Sequence, residues 1–136
     1  MPEPPRSPFA YAILRVVPRI ERGERFNVGV VMFCRQRDFL AAKVALDPTR
    51  LQALAPELDP TEVRGHLEAL VRVAAGDPQG GPIAELPPSE RFGWIVAPSS
   101  TVLQCSEVHT GLTEDPARTL SQLFDELVQP PATTSR

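Results

Sequence analysis

Lysine, cysteine, long apolar runs and the short signatures of nucleotide or acyl-transfer chemistry are scarce or missing in this sequence, and each shortage removes a class of protein. Two cysteines, Cys34 and Cys105, provide no metal-ligand spacing, and His66 is followed at i+4 by Leu70. No metal and no other cofactor is therefore expected. Both cysteines fall within predicted strands, where a free thiol acts as a small buried apolar group. A reducing compartment makes a disulfide between them the lesser alternative. No apolar stretch approaches the roughly 18 residues needed to cross a bilayer, and the first residues carry Pro, Glu and Arg instead of a signal-peptide core. The expectation is a soluble, cytoplasmic chain with no membrane partner. Gly-x-Gly-x-x-Gly, Walker A and Gly-x-Ser-x-Gly patterns are absent, so neither a phosphate cradle nor a nucleophile elbow is signalled.

What is present is ordinary globular composition, 42% hydrophobic and 23% charged over 136 residues, enough for one core and too little for two. Charge is unevenly spread. Residues 1–50 hold nine Lys and Arg against five Asp and Glu, and residues 51–136 hold five against twelve. Lys43 is the sole lysine. Such asymmetry suits either two halves that attract each other in the fold, the favoured reading, or an anionic partner contacting the N-terminal arginines.

Phe9 to Val17 is β-branched and aromatic and stops at Pro18, which cannot donate to a ladder. Phe26 to Cys34 and Phe39 to Leu46 follow after short charged connections, so the three segments predict an antiparallel meander. Alternation along the second strand places Phe26, Val28, Val30, Met32 and Cys34 on one apolar face, and Asn27 and Gly29 at the polar start of the other. Asp-Pro recurs at positions 47, 59, 77 and 115, with Asp suited to the N-cap and Pro to the first helical position. Apolar stripes follow two of these, Val63, Leu67, Leu70, Val71 and Ala74 up to Gly76, and Leu120, Leu123, Phe124, Leu127 and Val128 up to Pro130. A shorter helix follows Asp47. Arg91 to Ala97 and Thr101 to Val108 read as a second hairpin, with Trp94 filling the core. The fold class is thus α+β: a single domain over 9–128, with an antiparallel sheet of about five strands packed on one face against two main helices. Disordered tails are expected at 1–8 and 129–136.

One ordered set of segments carries a family resemblance: Tyr11 to Pro18, Glu24-Arg25-Phe26-Asn27-Val28-Gly29-Val30-Val31, Arg91-Phe92-Gly93-Trp94-Ile95, Gln104-Cys105-Ser106, His109-Thr110-Gly111, and the final Asp115-Pro116 helix. Over residues 9 to 128 the chain resembles the bacterial domain-of-unknown-function family numbered three thousand and thirty-seven. The resemblance implies no reaction. It implies a partner, a kinase-like protein related to the HipA toxins.

The candidate binding residues are Arg15, Arg19, Glu24, Asn27, Gly29 and His109. A hairpin of the first two strands brings Arg15 near Asn27 and Gly29, where the guanidinium meets either a carboxylate such as Glu21 or Glu24 or an anionic group of a ligand. His109 follows a predicted strand and is read as a loop residue, beside Ser99, Ser100 and Ser106 in sequence. Three functions follow. The first is a non-catalytic protein-interaction or accessory module using the Arg15, Glu24 and Asn27 side of the first hairpin. The second is a small hydrolase or nuclease in which Glu24 and His109 converge on an anionic substrate held by Arg15. The third is nucleic-acid binding by the basic N-terminal half, which the overall acidity disfavours. An open sheet edge also offers a route to a homodimer.

Overall fold

Ten residues, Ser7–Val16, form the strand β1 on which the sheet is assembled. The computed structural model describes residues 5–98 and 101–129. Strand β2 (Phe26–Cys34) pairs with one side of β1 and β3 (Phe39–Val44) with the far side of β2. On the other side of β1, β4 (Leu103–Cys105) pairs with Leu14 to Val16, and β5 (His109–Thr113) pairs with Ser7 to Tyr11. All pairings are antiparallel, so β4 and β5 lie one after the other along a single edge. The α+β class and the single five-stranded antiparallel sheet are as the sequence predicts. The predicted N-terminal tail is shortened, because Ser7 and Pro8 belong to β1 and Ser7 is buried. Arg37 holds this start in place, donating from Nε to Ser7 Oγ at 3.0 Å and from Nη2 to the Pro5 carbonyl at 2.6 Å. The tails predicted over 1–4 and 130–136 lie outside the described residues.

Four α-helices occur among the described residues: α1 (Pro48–Leu54), α2 (Pro60–Ala75), α3 (Pro88–Val96) and α4 (Pro116–Leu127). The Asp-Pro starts work as the sequence suggests. Asp47 Oδ1 accepts from Thr49 N at 3.0 Å, Asp59 Oδ1 from Thr61 N at 2.9 Å and Asp115 Oδ1 from Arg118 N at 3.2 Å, satisfying amides that the helix itself leaves without acceptors. Asp77 caps a single 3-10 turn in the same way. At the other end of α2, Gly76 takes φ of 71° and the Asp77 amide closes back on the Arg72 carbonyl, a left-handed stop that a side chain would strain.

Several expectations are overturned. Residues 91–96 are helical, not a strand, because Pro87 and Pro88 open a helix and the three-residue spacing of Phe92 and Ile95 turns both onto one buried face. The segment Thr101 to Val108 is extended as a ladder only over Leu103–Cys105, and His109 belongs to a strand and not to a loop. The helices also cover both faces. Leu51, Val63, Leu67, Phe92 and Ile95 pack against Ala12, Leu14, Val16, Phe26, Val28 and Val31. Leu120, Phe124 and Val128 of the α4 side pack against Phe9, Val30, Met32 and Cys34.

The split of β2 between two cores has a local cause. Leu14 pairs with Gly29 but Arg15 pairs with Asn27, so Val28 is an extra residue in β2. Such a bulge resets the two-residue alternation. Phe26 and Val28 therefore share a face with Val31 and Phe33, while Val30, Met32 and Cys34 look the other way. The single continuous apolar face expected for this strand does not exist. Gly29 is required beside the bulge: a Cβ there would sit 2.8 Å from Val44 Cγ1 and 2.9 Å from the Lys43 carbonyl oxygen. Gly29→Ala should lower the unfolding free energy by about 1–3 kcal/mol in urea titration, the usual range for overpacking. Gly93→Ala, in helical backbone with nothing within 4 Å, should raise it by up to about 1 kcal/mol.

Candidate functional site

The bulge also brings Asn27 directly opposite Arg15, on the α4 side of the sheet. Arg15 Nε donates to Asn27 Oδ1 at 3.3 Å, and Asn27 Nδ2 donates to the Leu127 carbonyl at 2.9 Å. Helix α4 has no basic residue in its last turn, so an amide with a guanidinium behind it serves as donor to its C-terminal carbonyls, where positive charge is favourable. Burial lowers the Arg15 pKa, the nearby Arg25 lowers it further, and Glu107 and the Cys105 thiol oppose the shift. Asn27 is half-buried and its amide is committed on both sides. A cavity of about 480 Å³ lies beside it, with Arg25, Arg50, Asp125 and Glu126 among its walls.

The other sequence-predicted residues do not join this pair. Arg19 and Glu24 line a separate depression of about 410 Å³ near Leu54 and Glu57, and Glu24 is ion-paired with Arg22. Gly29 is buried in the ladder beside Val44 of β3 and presents no surface to a ligand. His109 pairs with Tyr11 in the ladder, its ring centroid 5.2 Å from that of the tyrosine. Tyr11 lies five positions along β1 from Val16, the partner of Phe26, which at a strand's rise is about 16 Å. Glu24 precedes Phe26 and lies beyond that end. Glu24 and His109 thus fail to converge as an acid–base pair would need to. Ser106, buried, is an architectural hydroxyl: its Oγ accepts from Ile13 N at 2.8 Å and donates to the Glu107 carbonyl at 2.8 Å. Ser99 and Ser100 lie outside the described residues.

The sequence places Trp94 in the core, and the structure overturns this. Helix α3 buries Phe92 and Ile95 and turns Trp94 outward, leaving the indole 49% exposed. Trp94 borders a groove of about 520 Å³ between α2, α3 and β4, whose walls include His66, Leu70, Leu103 and Cys105, with Leu14 of β1 at its base. None of its lining residues is Asp, Glu, Lys or Arg. The Cys105 Sγ donates to the Ile95 carbonyl at 3.3 Å, and burial pushes its thiol up to about 11, with Arg15 partly opposing. At neutral pH this thiol is protonated and is a poor nucleophile. Reading Phe92 and Ile95 as a helical pair after two prolines was the signal that would have exposed Trp94.

The family model described as "Protein of unknown function (DUF3037)" matches residues 11–128. This chain belongs to the DUF3037 family. The matched DUF3037 span takes in the bulged hairpin, both helical layers and the Trp94 groove, and closes on Val128, which packs under α4. Neither the curated proteins nor the solved structures contain a match. Among the described residues no group of three or more His, Cys, Asp or Glu is placed to hold a metal ion, and no helix is long and apolar enough to cross a membrane.

Asn27→Ala removes a donor and an acceptor together, and should cost about 1–3 kcal/mol of unfolding free energy, measured by chemical denaturation. The Cys105 thiol carries a pH dependence of known sign. Its folded pKa, about 11, lies above the ordinary 9.0, so its contribution is complete below pH 9 and is lost as the pH rises toward 11. Stability should fall across that window, and should fall less in Cys105→Ala.

Proposed function

We propose that this protein is a non-catalytic protein-interaction module and that the Trp94 groove is its contact surface. The observation that carries this reading is the half-exposed indole beside an uncharged groove of about 520 Å³. Tryptophan is among the residues that most often dominate binding energy at protein interfaces, and it does so in pockets from which charge is excluded. The hairpin side chains favoured from the sequence support the same division of labour from the other direction. Arg15 and Asn27 bind each other and the end of α4, and Glu24 is held by Arg22. A partner of the HipA-related kinase class is the one the family resemblance implies.

The test is calorimetric titration of the full chain with a purified kinase of that class. Trp94→Ala should weaken binding by about thirtyfold, the size of a hot-spot truncation, with an unchanged circular dichroism spectrum, while Arg22→Ala should leave the affinity as it was. Binding that ignores Trp94→Ala removes the groove from the interface, and no binding by the unaltered chain removes the kinase as partner.

A further inference from the structure

The groove and an open edge of the sheet share residues, and this defines what can fill it. On the stretch around β4, Ser106 N donates to the Ile13 carbonyl at 2.8 Å and Val17 N donates to the Val102 carbonyl at 2.7 Å. Positions 102 and 106 thus turn their main chain toward β1, and antiparallel alternation turns that of Leu103 and Cys105 away from it. Among the described residues no strand lies beyond β4 in the sheet order. The Leu103 carbonyl accepts from Thr101 Oγ1 at 2.8 Å, which leaves Cys105 as the β4 residue whose N–H and C=O are both presented outward. Leu103 and Cys105 stand opposite Val16 and Leu14 in the ladder, and all four side chains join the core on the groove side.

Resting on the reading of the groove as an interaction surface, we infer that its occupant is an extended segment of a partner protein that adds to β4 as a further strand. The residue opposite Cys105 exchanges two main-chain hydrogen bonds with it. Directly paired residues share a face of the sheet, so that residue's side chain and the one two positions along enter the groove beside Trp94. The lining without formal charge selects uncharged, apolar side chains at those two positions, since a charged one would be desolvated without a counterion. Main-chain bonding supplies part of the affinity and alternate side chains supply the selectivity, as in other strand-addition complexes.

A phage-displayed library of random linear peptides, panned on the full chain and counter-selected on Trp94→Ala, supplies the probe. Selected peptides should share uncharged apolar residues at i and i+2. In synthetic copies, N-methylation of the residue facing Cys105 should weaken binding by more than about tenfold, while N-methylation of its neighbour, whose N–H points away from β4, should leave the affinity nearly intact. Trp94-dependent peptides with anchors at i and i+3 or i+4, indifferent to single N-methyl groups, would overturn strand addition and keep the groove as an interaction surface. Failure to enrich any peptide that distinguishes Trp94→Ala from the unaltered chain would overturn both.

Discussion

One extra residue in β2 decides which core every side chain of the central hairpin meets. With Val28 inserted between the partners of Leu14 and Arg15, the strand changes allegiance partway along, serving the α2 and α3 layer first and then both layers at once. The bulge also sets Asn27 across from Arg15 and needs a residue without a side chain at position 29, where β3 passes too closely for a Cβ. The seat of α4 and the hold on its Leu127 carbonyl both follow from that local insertion.

The arginine-rich first half finds much of its purpose inside the molecule. Arg37 binds the Pro5 carbonyl and the Ser7 hydroxyl, Arg15 backs the amide that caps α4, and Arg50 lies over the Phe26 ring at 5.1 Å. In the second half Arg91 acts alike, reaching the carbonyls of Leu86 and Ala74 at 2.6 and 3.4 Å and tying the loop before α3 to the end of α2. A guanidinium carries several donors in a fixed plane and suits such bridging of main-chain oxygens. The uneven charge along the sequence thus reads first as a supply of donors for the fold.

What was legible in the sequence was what local chemistry decides. The Asp-Pro helix starts, the helix end at Gly76, the α4 stripe and the antiparallel meander each depend on a few neighbouring residues, and each is present. The second half of the sheet was misread because Phe92, Gly93, Trp94, Ile95 and Val96 have the composition of a strand, while the prolines before them and the spacing of the buried pair dictate a helix. The bulge was illegible for a different reason: it is a property of two strands in register, and alternation within one strand carries no trace of it. The closeness of Arg15 and Asn27 followed from the hairpin, but their role depends on a helix end a hundred residues further on.

That last separation bears on how the chain is made. The face of β2 carrying Val30, Met32 and Cys34 is covered by α4, near the end of the matched family span, and β1 receives β4 and β5 only after some ninety residues have intervened. Until α4, β4 and β5 have been made, the first hairpin therefore keeps one greasy side bare and one ladder edge vacant, the form in which nascent chains recruit chaperones or join with one another. Closure of this domain waits for α4, and the Asn27 amide is the latch that this helix meets.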